Sequence, residues 1–284
     1  MRLTILIKRK DSYMKLKGIY IFILVILNLS MAQAENLSIE QAQNFLHLSG
    51  LQQSIDSMPQ QFEQQVNLQR LLSEDIVEHE KAGTLINEAV AGIDGQGLAI
   101  NYLTTNPKAG GLSQAITFLE SDLGKTIVVA ESKANDPEFQ VAMQAYAHEM
   151  ATNNSTSAKR LELIQQLIQS LHVEEVMLNM VKGMMFSTLD IFKAVKPEAA
   201  GFMETEFDKE WQNIETVLKA QLSQYMVLSM HYTYRDISDQ DLSEYMVFLQ
   251  SKNGQVYWGA SIEIFNLYLG EFIKNFTNLI IKKV

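Results

Sequence analysis

The second half of this chain repeats a pattern of the first half, and this internal similarity constrains the fold more than any other feature. Residues 118–125 (FLESDLGK) align with residues 248–255 (FLQSKNGQ). The same offset pairs Tyr102 with Tyr232, Leu112 with Leu242, and Ala130 with Ala260. A repeat of this length predicts a duplicated domain rather than a solenoid of short repeats.

Matches continue upstream at a slightly smaller offset, where Leu46, Leu51 and Ile55 pair with Ile168, Val173 and Met177. The change of offset predicts a short insertion in the second copy, between residues 193 and 218. We therefore predict two modules, residues 35–152 and 158–284. The polar segment 151–157 (ATNNSTS) is the expected linker between them.

Both copies have the sequence pattern of α-helices. Leu242, Tyr245 and Leu249 follow one another at helical spacing, and Ser238 ahead of them can cap the helix. The whole chain contains only four prolines, which favours long helices because proline breaks them. The predicted fold is all-α, two tandem and related helical-bundle modules after a signal peptide. Helices are expected near 39–48, 51–70, 72–91, 112–133, 136–150, 158–171, 173–193 and 203–230. A further helix is expected to start at Ser238, and another to continue towards the C-terminus after a break at Gly254.

The first 34 residues have the pattern of a secretory signal peptide. Six basic residues lie in the first 17 positions, an apolar run covers 19–29, and Ala32 and Ala34 form the small-x-small pattern of a cleavage site. Either Met1 or Met14 can be the start. The apolar run is short for a membrane anchor, so we predict a periplasmic or secreted protein with no stable membrane insertion after cleavage.

Charge and cysteine content exclude several classes of protein. The full chain has a net charge of −10, and without residues 1–34, which carry six basic residues and one acidic residue, this becomes about −15. Such an acidic surface repels nucleic acid and anionic lipid. The chain has no cysteine, so its core must hold the fold without disulfides.

Two segments resemble a known family of bacterial proteins. A Leu-rich helix ends in Leu48-Ser49-Gly50-Leu51, and Tyr232, Phe248, Ser251 and Gly254 follow an aromatic-Phe-Ser-Gly pattern. In both features the chain resembles the bacterial domain-of-unknown-function family 2059. The resemblance implies an exported helical protein and supplies no catalytic residues. The chain departs from the family pattern at Asp122 and Lys252, where proline is common, and at His172, which replaces the early glycine.

No catalytic motif is complete. Residues 124–126 (GKT) resemble the end of a phosphate-binding loop, but Leu119 occupies the position of its first glycine. The glycine-rich segment 92–97 follows a helix and is expected to be a flexible connector. Asp75 and His79 can share a helix face, but no second histidine has ligand spacing. There is no Gly-x-Ser-x-Gly motif, so we predict no catalytic residues, metal or cofactor.

Two groups of side chains are candidates for a ligand or partner surface. Met177, Met180 and Met184 lie on one helical face, which suits an ordinary core, an adaptable apolar groove or a Cu(I) site. Tyr257 and Trp258 belong to an aromatic cluster near Gly254, whereas the aligned positions of the first copy hold Ile127 and Val128. The other members of the cluster are Tyr232, Tyr234, Tyr245 and Phe248. Packing between helices is one interpretation, and a groove that binds one ligand asymmetrically is the other.

These observations predict a non-enzymatic binding or interaction protein of the bacterial periplasm, whose partner is a protein or another component of the cell envelope. The alternative is a hydrolase, or a carrier of a small ligand or metal, with a cleft between the modules. A deep pocket with converging polar groups would favour the alternative. The repeated motif residues are expected to serve folding: Phe118, Ser121, Gly124, Phe248, Ser251 and Gly254.

Overall fold

Helices account for the regular structure of this chain throughout the part that is described. The computed structural model describes residues 36–72, 76–153, 157–195 and 200–283, and no strand occurs among them. The predicted all-α class is confirmed, whereas the predicted signal peptide lies outside the described residues. The α-helices are α1 (Ile39–Leu48), α2 (Leu51–Leu72), α3 (Ile76–Ala91), α4 (Gly95–Thr105), α5 (Leu112–Glu120), α6 (Asp122–Ser132), α7 (Phe139–Asn153), α8 (Ala158–Ser170), α9 (Val173–Val195), α10 (Ala200–Thr233), α11 (Asp239–Gln250) and α12 (Lys252–Lys283).

The predicted helix 112–133 is interrupted at Ser121, and the same interruption occurs at Ser251 between α11 and α12. Each serine hydroxyl accepts a hydrogen bond from the backbone N–H of the glycine three residues later, Gly124 or Gly254, at 3.0 and 3.1 Å. A Cβ atom on either glycine would collide with the backbone carbonyl oxygen of the preceding helix. The serine caps the new helix, and the glycine lets the start of the new helix lie close to the backbone of the preceding one.

The segment 92–97 is not the flexible connector expected from its glycines. Asp94 caps α4 by accepting a hydrogen bond from the Gly97 N–H at 2.8 Å, and the helix begins at Gly95. A Cβ atom on Gly95 would lie 2.5 Å from Ile55 and 2.9 Å from the Tyr268 ring. This glycine therefore serves close packing between helices rather than flexibility.

The two halves pack against each other reciprocally. Helix α6 of the first half contacts α11 of the second, and α12 of the second contacts α5 of the first. Further out, α3 contacts α12 and α7 contacts α10. Within each half, the first helix lies on the equivalent neighbours: α1 contacts α4 and α5, and α8 contacts α10 and α11.

Both halves contribute to one hydrophobic core. Phe45 and Leu119 from the first half and Leu167 and Leu249 from the second are fully buried in the same cluster. Residues 36–284 accordingly form one compact unit. Phe118 and Phe248 are half-buried and pack against this cluster. The sequence alignment matches the two residues, and their rings stack with centroids 3.8 Å apart.

The turns that follow α1 and α8 adopt the same unusual backbone conformation. Gly50 has a φ of 72° and His172 has a φ of 49°, and no other described residue has a positive φ. The alignment places His172 at the position of Gly50. A residue with a side chain loses about 1–2 kcal/mol when its φ is positive. The turn at His172 nevertheless has the same backbone conformation as the turn at Gly50.

We expect Gly50→Ala to lose about 1–2 kcal/mol of unfolding free energy, because alanine is strained at this φ and its Cβ would lie 3.2 Å from Val128. His172→Gly should stay within about 0.5 kcal/mol of the unchanged protein, because relief of strain offsets the added freedom of the unfolded chain. Urea unfolding of the two variants measures both effects. Equal losses in both variants would contradict this account of the turns.

Candidate functional site

A pocket of about 350 Å³ opens where the two halves meet. The turn after α1 and helix α6 form one side, and the turn after α8 and helix α12 form the other. Its walls include pairs of residues that the alignment matches: Ser49 with Leu171, Val128 with Trp258, and Glu131 with Ser261. The pocket therefore lies between positions that the sequence alignment matches, and the side chains at these matched positions differ in chemistry.

Glu131 is the residue that distinguishes this pocket. It lies on α6 and accepts hydrogen bonds from the hydroxyls of Tyr234 at 2.6 Å and Tyr245 at 2.8 Å. Both bonds go to Oε1, and Oε2 has no hydrogen-bond partner among the described residues. The carboxylate comes from the first half and both donors come from the second, so the cluster exists only when the halves are packed together.

The two tyrosines are held rigidly by the surrounding core. Their side chains are only 4% and 3% exposed, for Tyr234 and Tyr245 respectively. The Tyr245 ring stacks on Phe118 with centroids 5.9 Å apart. Such fixed donors can hold the carboxylate in one orientation without losing much side-chain entropy.

Arg160, a buried cation, fixes the backbone that carries Tyr234. Its guanidinium donates to the carbonyl oxygen of Tyr234 and forms an ion pair with Asp239 at 3.0 Å. Ser157 caps the helix of Arg160 by accepting a hydrogen bond from the Arg160 N–H at 3.1 Å. A paired and hydrogen-bonded guanidinium is the form in which a buried arginine is tolerated.

The electrostatic environment of Glu131 disfavours its charge. Burial raises the pKa of the Glu131 carboxyl above its ordinary value, and the hydrogen bonds from Tyr234 and Tyr245 offset only part of that effect. Burial and the nearby Glu131 also raise the pKa of both tyrosines, so their hydroxyls remain protonated donors. The carboxyl can hold a proton at a higher pH than an exposed glutamate, and it can give that proton up when a cation approaches.

Tyr257 and Trp258 complete the aromatic part of the pocket. The Trp258 indole donates to the carbonyl oxygen of Leu171 at 2.9 Å, which fixes the ring against the turn after α8. Tyr257 is 6% exposed, and its hydroxyl has no hydrogen-bond partner among the described residues. Burial, with Glu131 as a smaller cause, raises its pKa. This hydroxyl is available as a donor to a molecule in the pocket.

The structure divides the predicted ligand or partner surface between separate places. Tyr257 and Trp258 line the pocket around Glu131. Met177 packs against the main core, and Met180 lines a different cavity between α9 and α12. The side chain of Met184 lies outside the described residues, as do those of Asp75 and His79. Met177 and Met180 therefore do not line the same pocket as Tyr257 and Trp258.

Three other grooves have larger volumes than this pocket: two of about 550 and 570 Å³, and the cavity between α9 and α12 of about 370 Å³. The first includes Tyr102, Lys252 and Glu263, and the second includes His172 and Lys219. Both contain charged side chains of either sign, and no carboxylate among their described lining residues accepts a hydrogen bond from a tyrosine hydroxyl as Glu131 does. We take the smaller pocket as the candidate site because its polar groups converge.

Glu131 was absent from the sequence prediction, although its spacing gave a signal. It follows Leu123 and Ile127 at intervals of four, which places a charged residue on the buried face of α6. Tyr234 and Tyr245 belonged to the aromatic cluster recognised from the sequence, but no pattern indicated that their hydroxyls would meet Glu131. That contact depends on how the two halves pack.

Comparison of the chain with protein-family models, with curated proteins and with solved structures found no match. The resemblance to family 2059 therefore stays a prediction. Within the described residues, no helix is long and apolar enough to cross a membrane. In that same part of the chain, no three histidine or acidic side chains are grouped in a way that could hold a metal ion.

Proposed function

We propose that this protein binds a small molecule in the pocket around Glu131, as a non-enzymatic binding protein of the bacterial periplasm. The observation that carries the proposal is the carboxylate of one half held at Oε1 by Tyr234 and Tyr245 of the other, with Oε2 unpaired. Glu131 is half-buried, and Oε2 is not among the buried atoms that lack a hydrogen-bond partner in the described part of the chain, so a molecule in the pocket can reach it. A bound ligand that pairs with Oε2 gains a charge-assisted hydrogen bond.

Converging polar groups favour a small ligand over a protein partner. The pocket volume falls in the lower part of the range for small-molecule sites, about 300–1,000 Å³. A surface for a protein partner would be broader and flatter, because specific interfaces bury about 800 Å² on each side. Of the two functions considered from the sequence, the small-ligand carrier accordingly agrees better with this pocket than the protein-binding surface does.

The proposal includes an origin of the pocket by duplication. Matched positions in the two halves share the serine caps at Ser121 and Ser251, the positive φ of Gly50 and His172, and reciprocal helix packing. When a duplicated module packs against its own copy, the same surface of each module lies at the interface. A cavity at that interface is then lined by matched residues of both copies. Divergence of the second copy would then add the aromatic side chains, and divergence of the first would add Glu131.

The proposed location rests on the N-terminal sequence alone. A basic start, an apolar run and a small-x-small pattern before Glu35 are typical of a signal peptide. The mass of the protein recovered from the cell envelope tests this point, because cleavage after Ala34 predicts a chain that begins at Glu35.

Ligand binding is tested by thermal unfolding of the whole protein against a library of small metabolites that contains cations, anions and neutral compounds. A ligand present at 100 times its Kd should stabilise the folded protein by about 2.7 kcal/mol, which raises the Tm by several degrees. Ala134→Trp, at an exposed position on the pocket rim, should abolish the shift by blocking entry.

The matched control is Ala151→Trp, which adds the same ring at an exposed position on α7, away from the pocket. It should respond to ligands as the unchanged protein does. If no compound of any charge stabilises the unchanged protein more than Ala134→Trp, the proposed function is wrong.

The raised pKa of Glu131 supports hydrolysis as a second candidate function. A carboxyl whose pKa is raised keeps its proton at a higher pH than an exposed glutamate does, and it can protonate a leaving group as a general acid. Compounds that bind in the thermal screen would be incubated with the unchanged protein and with Glu131→Gln, and products followed by mass spectrometry. Turnover that disappears in Glu131→Gln, with binding retained, would favour the enzyme.

A further inference from the structure

The ionisable groups in the pocket are strongly biased towards one charge. Among the described residues that line it, Glu131 is the only one with an acidic or basic side chain apart from the tyrosines. The guanidinium of Arg160, a buried cation, is already paired with Asp239 and with the carbonyl oxygen of Tyr234. An anionic ligand would meet an uncompensated carboxylate, whereas a cationic ligand would meet an unpaired counter-charge.

The hydrogen bonds that Glu131 already has do not neutralise it. Two phenol hydroxyls donate to Oε1, and hydroxyl donors bring dipoles but no charge. Tyr257 is the third tyrosine near Glu131, and it too is a neutral donor. A protonated amine or a quaternary ammonium is the group that completes the environment of this carboxylate, because an opposite charge within a few ångströms favours the ionised form.

Aromatic side chains form much of the remaining wall. Tyr234, Tyr245, Tyr257 and Trp258 all line the same pocket. Aromatic rings attract cations through their quadrupole, and several rings together with an acid are a recurrent way to bind ammonium groups. Neutral hydroxyls and amides on the remaining wall, such as Ser132 and Asn135, can bind the polar part of such a molecule.

We infer that the ligand of this pocket is a small organic cation, an alkylammonium compound whose charged nitrogen pairs with Glu131 and contacts the tyrosine and tryptophan rings. The inference rests on the proposed function and names its ligand class. A cavity of about 350 Å³ suits a compact molecule. The acidic surface of the protein adds long-range attraction for cations.

Binding of a cation is coupled to loss of a proton from Glu131. The cation pairs with the carboxylate, so any protonated Glu131 must release its proton on binding. Affinity should therefore rise with pH until Glu131 is ionised in the free protein, and then level off. The groups that face this carboxyl are Tyr234, Tyr245 and Tyr257, whose raised pKa values keep them neutral across that range.

The test is titration calorimetry of the whole protein with four probes. Choline and butylammonium are the cations, 3,3-dimethylbutan-1-ol is a neutral compound of the same shape as choline, and butyrate is the anion. Choline, butylammonium or both should bind, with an affinity at least about tenfold higher than that of the neutral compound and the anion. Glu131→Gln should weaken cation binding about tenfold or more and remove its rise with pH.

Glu120→Gln is the matched control. It removes an equal charge at an exposed position of the adjacent helix α5, so it reduces long-range attraction without touching the pocket. Its effect on cation binding should stay within about twofold. Preference for choline would assign the selectivity to the aromatic rings, and preference for butylammonium would assign it to hydrogen bonds from the N–H groups.

Three results would overturn the inference: neither cation binds the unchanged protein, the neutral compound binds as tightly as choline, or Glu131→Gln binds both cations normally. The metabolite screen distinguishes a wrong ligand class from a wrong proposed function. Neutral or anionic compounds that stabilise the unchanged protein but not Ala134→Trp would leave the pocket a ligand site and show that its ligand is not a cation.

Discussion

Glu131→Leu is expected to be less stable than Glu131→Gln by about 2 kcal/mol or more. Leucine removes the acceptor of both Tyr234 and Tyr245, and a buried hydroxyl without a partner costs about 1–3 kcal/mol. The carboxamide oxygen of glutamine can still accept both bonds, which are 2.6 and 2.8 Å long in the unchanged protein. Urea unfolding of the three proteins at one pH gives the comparison.

A third variant makes this expectation specific to the hydrogen bonds. Combining Glu131→Leu with Tyr234→Phe and Tyr245→Phe removes the donors together with the acceptor, which can be nearly neutral when both partners become apolar. The combined variant should therefore recover most of the stability that Glu131→Leu loses. If the leucine and glutamine variants are equally stable, the two hydroxyls have other partners and our account of the cluster is wrong.

The dependence of stability on pH should separate the unchanged protein from Glu131→Gln. In the unfolded chain this carboxyl ionises at about its ordinary pKa of 4.5, whereas in the folded protein its pKa is raised by burial. Between the two values the folded state binds more protons, so stability falls as pH rises through this window and then becomes constant. Glu131→Gln lacks this decline, and its stability relative to the unchanged protein should improve across the same range.

Gly124→Ala and Gly254→Ala should each lose about 3 kcal/mol of unfolding free energy. A Cβ atom on either glycine would overlap the carbonyl oxygen of Phe118 or Phe248, and backbone atoms cannot move away as a flexible side chain can. The adjacent helices would have to separate, which disturbs the stacked Phe118 and Phe248 rings. Chemical denaturation of the two variants measures the loss.

The control for this pair is Gly270→Ala, since a Cβ atom on Gly270 in α12 would meet no atom within 4 Å. Alanine there should raise stability by about 0.5–1 kcal/mol because it favours the helix. Similar losses at positions 124 and 254 are expected because their surroundings are alike. A loss at only one of them would show that the two interhelical turns are not equivalent.

Local features of this fold were predictable from the sequence. Ser238 caps α11 as expected, accepting a hydrogen bond from the Asp241 N–H at 3.1 Å. The predicted boundaries of α1 and α8 agree with the observed helices to within a residue. Caps and helical periodicity act over a few residues, so the sequence carries them directly.

Features that depend on distant contacts were not predictable. Gly95 suggested a flexible connector because nothing nearby in the sequence shows that Ile55 and Tyr268 crowd it. The site has the same origin: Tyr257 and Trp258 were identified as candidates, but Glu131 reaches Tyr234 and Tyr245 only through packing between the halves. Hydrogen bonds between residues about a hundred positions apart leave no periodic trace in a single sequence.

The final helix, α12, has a consequence for how the protein assembles. It contacts α3, α4 and α5. The apolar surfaces of these three helices are therefore covered only when α12 has packed against them. All residues through α12 would have to leave the ribosome before the core could close, and removal of α12 would expose the apolar surfaces of α3, α4 and α5 and favour aggregation. Long-range contacts of this kind also predict slower folding than in a helical bundle whose neighbours are consecutive.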